Sequence, residues 1–393
     1  MSLTILHTAD WQIGKPFAST PDPDKRRRLQ QERLHAIDRI AQLAGSESVD
    51  LVLVAGDLFD SPSPTKATVS ATFHAIGRIP APVIAIPGNH DFGGPGGPWN
   101  QDFVQKEARE LAPNFQILTQ AEALVLEVAV ILPAPLEHRQ NLSDPTAWIR
   151  TAFDDADFPA DRPRIVLAHG SVQGFSSAGD EDEAQSSNLI ELAKLPLDEI
   201  DYIALGDWHG TKQVADKAWY AGTPEIDRFP KGDDNRPGHV LIARLARAAA
   251  ADVQCIPTSQ LQWKQLAIRF DGESGMAQLE QEFADTVGTG ADGVLLQLEL
   301  SGGLTLRESL RLHELLETWE SRLVRLKLRD TVVEMPSDDE IAQLTERRGD
   351  PLISRVAARL VEQAAGSDEQ AAVARLALRE LYQLTLRHES SCA

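Results

Sequence analysis

Several short apolar segments in the first 250 residues end in small groups of Asp, Asn or His. The apolar segments are predicted strands, and helical stretches lie between them: 4–7, 51–55, 83–87, 165–168 and 202–205. This alternation is typical of an α/β domain, in which the carboxyl ends of parallel strands line a common edge. We therefore expect the polar groups at these strand ends to meet in one site.

Five polar groups follow the five strands directly. In chain order they are Asp10-Trp11-Gln12, Gly56-Asp57-Leu58-Phe59-Asp60, Gly88-Asn89-His90-Asp91, His169-Gly170 and Gly206-Asp207-Trp208-His209. Taken alone, each group is also typical of a turn, a helix cap or a buried histidine. Five such groups on five consecutive strands predict a composite site instead.

The donor types in these groups indicate a metal centre. Carboxylates, an amide oxygen and imidazoles without thiolates suit Mn²⁺, Fe²⁺ or Zn²⁺ better than Ca²⁺. The candidate ligands are too many for one tetrahedral ion and match two ions that share a bridging ligand. Two ions about 3.5–4 Å apart can generate hydroxide from water and hold the oxygens of an in-line phosphoryl displacement.

Composition and charge exclude several other classes of protein. No apolar run reaches the roughly 20 residues that a membrane-spanning helix needs, and the N-terminus lacks the layout of a signal peptide. Cys255 and Cys392 are too few for a disulfide framework or a cysteine zinc site. The net charge of −21 is spread along the chain and provides no basic domain for general polyanion binding. We expect a soluble, cytoplasmic protein with no membrane partner.

The pattern of predicted elements divides the chain into three parts. The α/β pattern fills residues 1–250 and gives way to a small-residue linker at about 248–257. A compact α+β pattern of strand, helix, strand, helix and strand occupies 258–334, and only helical signals remain in 335–393. We predict one domain for each of these parts.

The motif series resembles that of the calcineurin-like metallophosphoesterases, in which Asp-x-His, Gly-Asp-x-x-Asp, Gly-Asn-His-Asp, His and Gly-His-x-His follow one another. Segments 5–11 (ILHTADW), 54–60 (VAGDLFD) and 202–206 (YIALG) look most like the SbcD-type DNA-repair exonucleases. The resemblance implies a layered α/β fold, a β-sandwich flanked by helices, for 1–250. More loosely, the layout of 258–334 and 335–393 is similar to that family's capping domain and ATPase-docking helices.

The resemblance also implies a role for individual residues. One ion would be held by Asp10, Gln12 and His209. The other would be held by Asn89, His169 and Asp207, and Asp57 would bridge the two. His90 would stabilise the transition state or assist the leaving group, and Asp60 and Asp91 would orient ligands. Two divalent ions follow from this set, with Mn²⁺ favoured over Mg²⁺ or Fe²⁺.

Two positions depart from the family pattern. Gln12 stands where the family has histidine, and Asp207 stands where it has the first histidine of Gly-His-x-His. An amide oxygen is a weaker, uncharged ligand, so the ion at Gln12 should be held more loosely. Asp207 adds a hard, charged oxygen, which shifts the preference toward Mn²⁺ or Mg²⁺ over Zn²⁺. We expect a two-ion site with altered selectivity; one tight ion, or an inactive site, is the alternative.

A basic cluster follows the first motif and offers a surface for a phosphate backbone. It consists of Lys25, Arg26, Arg27 and Arg28, with Lys15 nearby. Cations are unfavourable at the start of a helix, which favours an external role such as DNA binding. Such a cluster is equally typical of a solvated helix surface.

These features predict a metal-dependent DNA exonuclease of the SbcD type that acts in DNA repair. The resemblance implies DNA and an SbcC-like ATPase subunit as partners, and a homodimeric nuclease. Two alternatives stay open. One is a phosphodiesterase or phosphatase acting on nucleotides or other small phosphoesters, and the other is a non-catalytic scaffold that binds metal weakly.

Overall fold

The computed structural model describes residues 2–155, 158–172, 187–229, 235–271, 275–334, 337–347 and 349–392. The chain forms two compact units, Met1–Leu261 and Gln262–Ala393. The predicted segments 258–334 and 335–393 fall almost entirely within the second unit. The division into three domains stays a prediction.

The first unit contains the elements that surround the predicted site. Its strands are β1 (Leu3–Thr8), β2 (Leu51–Val54), β3 (Val83–Ala85), β4 (Phe115–Ile117), β5 (Leu124–Val125), β6 (Val130–Ala134), β7 (Arg164–His169), β8 (Ser171–Val172), β9 (Leu189–Ile190), β10 (Tyr202–Gly206), β11 (Lys212–Ala215), β12 (Ala218–Tyr220), β13 (His239–Leu245) and β14 (Asp252–Pro257). Its helices are α1 (Pro23–Ser46), α2 (Lys66–Ile76), α3 (Asp102–Leu111) and α4 (Ala152–Asp155).

The first sheet has the strand order β14-β13-β1-β2-β3-β4. Strands β1 to β4 are parallel, and β13 runs antiparallel to β1. Every residue of β2 and nearly every residue of β1 is buried, because both faces of the sheet are covered. Asp10 and Asp57 follow β1 and β2, so parallel pairing brings them to the same end of the sheet.

The second sheet has the order β11-β12-β10-β7-β6-β5, and its strands β6, β7, β10 and β12 are parallel. The register pairs Gly206 at the end of β10 with His169 at the end of β7. The segments that follow these strands therefore leave the sheet side by side. The five polar groups thus come from two sheets, not from one common edge.

The two sheets pack face to face around a shared core. Ile5 and Leu53 of the first sheet lie in one apolar cluster with Ile165, Leu167 and Tyr202 of the second. Helices α1 and α2 cover the other face of the first sheet in a separate apolar cluster. The predicted fold class, a layered α/β arrangement of sheets flanked by helices, is confirmed.

The second unit combines a small sheet with helices. Its elements are β15 (Gln262–Asp271), α5 (Gly275–Val287), β16 (Val294–Leu304), α6 (Leu306–Arg322), β17 (Arg325–Asp330), β18 (Val333–Glu334), α7 (Asp338–Thr345), α8 (Pro351–Ala364) and α9 (Glu369–Cys392). Strand β16 pairs in parallel with β15, β17 and β18. Phe283 and Trp319 stack in its core with ring centroids 3.6 Å apart, and Leu306, Leu378 and Tyr382 join α6 to α9.

The predicted linker at 248–257 is wrong over most of its length. Residues Asp252–Pro257 form β14, which pairs with β13 at the border of the first sheet. Most of its side chains are exposed, so an edge strand with little apolar content looked like a linker in the sequence. Within the described part of the chain, no helix has the length and apolar character that crossing a membrane requires.

Candidate metal centre

His169 lies at the centre of the group formed by the second set of predicted ligands. Its Nδ1 is 2.7 Å from the carbonyl oxygen of Ala55, which can only accept, so Nδ1 carries the proton and Nε2 is left as the ligand atom. Nε2 lies 3.3 Å from Asn89 Oδ1, 3.7 Å from Asp57 Oδ1 and 3.8 Å from Asp207 Oδ1. Three further predicted ligands thus surround the His169 nitrogen.

The ligand residues occupy unusual backbone conformations. Asp10, Gln12, Asp57 and Asp207 have positive φ angles of 53°, 42°, 54° and 101°. Side chains other than glycine rarely adopt this region, and such residues persist only where the surroundings enforce them. Their concentration at one place indicates that the strand ends are shaped to aim these side chains.

Two motif glycines leave room for the ligands. A Cβ on Gly56, which has φ +88°, would lie 2.3 Å from His169 Nδ1, and a Cβ on Gly88 would lie 2.2 Å from Asp57 Oδ1. Both distances are far below van der Waals contact. The glycines of the Gly-Asp and Gly-Asn-His-Asp motifs therefore let the strand ends approach one another.

The remaining pair of predicted ligands, Gln12 and His209, lies together on the other side of the site. Gln12 Nε2 is 3.3 Å from His209 Nε2, and the Gln12 backbone N–H donates to the carbonyl oxygen of Asp57 at 2.8 Å. His209 Nδ1 is 3.2 Å from Asp227 Oδ2. Arg228 Nη2 lies 2.9 Å from His209 Nδ1 and 3.4 Å from Nε2.

Asp10 connects the two sides. Its carboxylate accepts from the backbone N–H of Asp207 at 3.2 Å, and one ligand atom each from Asp10, Asp57 and His169 lies within 4.8 Å of the others. All three side chains are buried. Two carboxylates and an imidazole whose free nitrogen faces them are a donor set that fits a divalent ion.

Burial and charge shift the pKa values of these groups. Burial raises the pKa of Asp10 to about 6, although His209 and His169 oppose the shift. Burial by itself lowers the pKa of His169, but the carboxylates of Asp57, Asp10 and Asp207 outweigh it and raise the value to about 9. The site thus concentrates negative charge that a cation can neutralise.

Comparison with known proteins identifies this arrangement. The sequence profile of the calcineurin-like phosphoesterases matches residues 3–211, more than half of the chain. The chain belongs to this family. The phosphoesterase is therefore a metal-binding hydrolase that acts on phosphoester bonds.

Among solved structures, the phosphoesterase is similar to TT1561 of Thermus thermophilus, with 13% identity and a TM-score of 0.40. That match covers 66% of this chain and 100% of the other. It is also similar to GAP50, the anchor in the inner membrane complex of Plasmodium, with 13% identity, a TM-score of 0.39, and 65% and 89% coverage of the two chains.

His90 and Asp60 lie beside the ligand group. His90 Nδ1 is 2.9 Å from the carbonyl oxygen of Asp60 and therefore donates to it, while Nε2 lies 3.9 Å from Asp57 Oδ2. The His90 backbone N–H donates to Asp57 Oδ1 at 2.9 Å. The His90 side chain is 30% exposed.

Asp91 holds two of the motif loops together. Its carboxylate accepts from the backbone N–H groups of Leu58, Phe59 and Gly88 at 2.9, 3.1 and 2.8 Å. Burial and the nearby Asp57 raise the pKa of Asp91 to about 7. The Asp91 side chain points into this loop network. Its predicted role in orienting the metal ligands would therefore act through the backbone of the two motif loops.

The five predicted DNA-binding residues separate into two groups. Lys15 lies inside the site, where its Nζ is 2.7 Å from Gln12 Oε1 and 2.9 Å from Asp227 Oδ2. Lys25, Arg26, Arg27 and Arg28 lie in the first turns of α1, where Arg26 donates to the carbonyl oxygens of Thr20 and Pro21. The Lys15 ammonium is therefore engaged within the site, and DNA binding by the five residues stays a prediction.

Sequence reasoning missed Arg33. Its buried guanidinium donates to the carbonyl oxygens of Trp11, Asp10 and Glu225 and to Thr223 Oγ1, at 2.8 to 3.1 Å. It thereby fixes the backbone that aims Asp10. A signal existed, because Arg33 follows Leu29 and precedes Ile37 by four residues, which places a cation on the apolar face of α1.

Asp227 was also missed. It is buried between His209 and Lys15, and burial alone would raise the pKa of its carboxyl. His209, Arg33 and Lys15 together hold that pKa well below the usual value, so the side chain is a carboxylate. Asp227 follows no predicted strand or motif, so nothing in its local sequence distinguished it. Ser171, which donates to Asp207 Oδ2 at 2.9 Å, was missed although it directly follows the His169-Gly170 group.

Proposed function

We propose that this phosphoesterase is a DNA exonuclease of the SbcD type that works in DNA repair and uses Mn²⁺. The observation on which the proposal depends is the convergence of Asp10, Asp57 and His169, with His90 Nε2 directed to the same place. Residues from both sheets meet there, so the folded domain assembles the site. Metal-dependent hydrolysis is the family's activity; DNA and repair are the proposed refinement.

The donor set favours a hard divalent ion. Asp10, Asp57, Asn89, Asp207 and His169 would hold it through four oxygens and one nitrogen, a ratio that suits Mn²⁺ or Mg²⁺ better than Zn²⁺. When bound, such an ion supplies positive charge to a phosphoryl oxygen and lowers the pKa of a water molecule. Asp91 and the Ala55 carbonyl keep the ligand side chains in place.

His90 is the residue placed to act on the substrate. Its Nδ1 proton is engaged by the Asp60 carbonyl oxygen, so Nε2 is the atom that faces the site. In the protonated ring, Nε2 can donate a hydrogen bond to a phosphoryl oxygen or a proton to the leaving oxygen. Both actions stabilise negative charge that develops during cleavage.

The basic start of α1 supports a polymeric substrate. Arg33 on the same helix contacts the Asp10 carbonyl, and residues 25–28 precede it by about 8–12 Å along the helix axis at 1.5 Å per residue. That distance corresponds to about three nucleotides of a strand. A DNA strand that is cleaved at the metal could therefore contact this cluster through the phosphates next to the cleaved bond.

Exposed apolar side chains on the last two helices support the proposed ATPase partner. In α8, Leu352 is 72% exposed, and in α9, Val373 and Leu384 are 62% and 60% exposed. Large exposed apolar residues that recur on a helix are typical of an interaction surface. We propose that an SbcC-like subunit docks there and that the nuclease is a homodimer, as the resemblance implies.

The test is Mn²⁺-dependent shortening of end-labelled linear duplex DNA, with bis(p-nitrophenyl) phosphate as a small diester. Wild type should degrade both. Asp57→Ala should lose at least about 100-fold with either substrate, because it removes a ligand outright. Glu110→Ala, which removes an exposed carboxylate on α3, is the matched control and should behave as wild type.

A second pair of variants tests the DNA assignment. Arg27→Ala/Arg28→Ala should raise the KM for DNA and reduce its salt dependence by about one for each lost phosphate contact, without changing hydrolysis of the small diester. Lys106→Ala/Arg109→Ala on α3 is the matched control. Cleavage of the small diester alone, even with an added SbcC-like ATPase, would remove DNA from the proposal. Cleavage of neither substrate would overturn the proposed function.

A further inference from the structure

The side of the metal centre that contains Gln12 and His209 already holds a positive charge. Lys15 Nζ lies 2.7 Å from Gln12 Oε1, 2.9 Å from Asp227 Oδ2 and 3.7 Å from Asp60 Oδ1. An ammonium group has three donors and no acceptor; two of them have oxygens at hydrogen-bonding distance, and Asp60 adds a longer ion pair. The Lys15 side chain is mostly buried, with 22% exposed. This geometry is that of a cation site built from the protein's own oxygens.

The contact with Lys15 fixes the orientation of the Gln12 amide. With Oε1 on the ammonium, the NH₂ group faces His209 Nε2 at 3.3 Å, where the ring nitrogen accepts. Turning the amide over would place NH₂ against NH₃⁺, which are both donors, and Oε1 against His209. The hydrogen-bond network therefore keeps the only metal-binding atom of Gln12 on Lys15.

The second ligand on this side is engaged as well. His209 Nδ1 lies 3.2 Å from Asp227 Oδ2 and 2.9 Å from Arg228 Nη2, and its Nε2 lies 3.3 Å from the Gln12 amide nitrogen, so both ring nitrogens have protein partners. A divalent ion here would have to displace Gln12 from Lys15 and stand next to the ammonium charge. Around His169, in contrast, amide and carboxylate oxygens face Nε2, the ring nitrogen that the Ala55 carbonyl oxygen does not bind.

We propose that the Lys15 ammonium replaces the first of the two expected metal ions, so that the phosphoesterase binds one divalent ion tightly, at Asp10, Asp57, Asn89, His169 and Asp207. Lys15 is then a residue that sets metal stoichiometry. Replacement of a metal ion by the Lys15 ammonium fits the sequence, because Gln12 stands in place of an imidazole ligand and its amide oxygen can accept from an ammonium. This inference rests on the proposed metal site but not on DNA as substrate.

The test measures bound metal rather than turnover. Wild-type protein is dialysed against graded MnCl₂, its manganese content is determined by mass spectrometry, and its electron paramagnetic resonance spectrum is recorded. We expect one tight Mn²⁺ per chain and the six-line signal of an isolated ion. Two Mn²⁺ of similar affinity, or an exchange-coupled signal at low loading, would overturn the inference and leave the proposed function standing. No tight Mn²⁺ at all would overturn both.

Three variants test the part played by Lys15. Gln12→His/Lys15→Met should bind a second Mn²⁺ about 10–100-fold more tightly than wild type and show the coupled signal, because an imidazole is restored and the charge removed. Lys15→Arg keeps the charge and should still bind one ion. Lys106→Met removes an exposed cation from the same unit and is the matched control. A double variant that folds, as circular dichroism reports, and still binds one ion would contradict the role of Lys15. The wild-type stoichiometry decides the inference if that variant does not fold.

Discussion

Arg33 provides the sharpest test of how the site is held together. Replacing it with methionine keeps a long side chain but removes every donor. Four acceptors, the carbonyl oxygens of Asp10, Trp11 and Glu225 and the hydroxyl of Thr223, then lose the guanidinium donor, and the Glu225 carbonyl keeps the Thr223 hydroxyl as its partner. The position is 2% exposed, so bulk water cannot replace the guanidinium without a structural change.

The expected loss of stability follows from these four bonds. Each hydrogen bond to a charged group contributes about 1.5–3 kcal/mol, and water that enters the space offsets part of their sum. Breaking a buried network of this kind typically costs about 3–5 kcal/mol. At about 2–4 °C per kcal/mol for a unit of this size, Arg33→Met should lower the melting temperature by roughly 6–20 °C.

The assay is thermal unfolding followed by circular dichroism in EDTA, so that metal binding does not contribute. Arg27→Met is the control, because Arg27 is on the same helix, 66% exposed and paired with an exposed Asp24, and should change stability by less than about 0.5 kcal/mol. Melting of Arg33→Met within about 2 °C of Arg27→Met would refute the reasoning, since by the scale above it would place the network below about 1 kcal/mol.

Three further substitutions have defined outcomes. Gly88→Ala should destabilise the fold by about 1–3 kcal/mol and weaken Mn²⁺ binding, because its Cβ would lie 2.5 Å from the Asp57 backbone nitrogen, which cannot rotate away. Thermal unfolding with and without Mn²⁺ measures both effects. Wild-type melting temperatures in both conditions would contradict the expected clash. Asp91→Asn should lower the free energy of unfolding by about 1–3 kcal/mol, because an amide NH₂ would face a backbone N–H. Calorimetric titration should also show about 10–100-fold weaker Mn²⁺ binding. Unchanged Mn²⁺ binding would show that the loop network does not position the ligands. Glu340→Gln should destabilise the second unit by a similar free energy, measured as a lower urea midpoint, because Glu340 accepts from the N–H groups of Leu306, Arg307 and Ser337. Glu317→Gln, on the exposed side of α6, is its control and should not differ from wild type.

Much of the site could be predicted from sequence because its ligands follow strands. The apolar runs before Asp57 and His169 are continuous, since their strands are buried, and the polar residue that ends each run is easily recognised. The fold explains the glycines at positions 56 and 88, because a Cβ at either position would collide with His169 or Asp57. The order of the strands in two sheets was not predictable, because it depends on pairing between distant segments.

The residues that sequence reasoning missed act through contacts between distant segments. Asp227 and Arg33 are separated by nearly 200 positions but belong to one charge network around the site. Lys15 was close to the first motif in sequence and was assigned to a DNA surface, because its charge was visible but its direction was not. Only the fold shows that its ammonium points at Gln12 and Asp227.

The ligands of the metal centre are divided between the two sheets. Asp10, Asp57 and Asn89 follow strands of the first sheet, whereas His169 and Asp207 belong to the ends of strands of the second. A bound ion is therefore a cross-link between the halves of the sandwich, one that forms only after the halves have come together. Binding to the native state alone stabilises it by about 2.7 kcal/mol when free metal is 100 times Kd. A higher free metal concentration would thus hold the two sheets together more strongly. Slower amide exchange in β1, β2, β7 and β10 would report this effect.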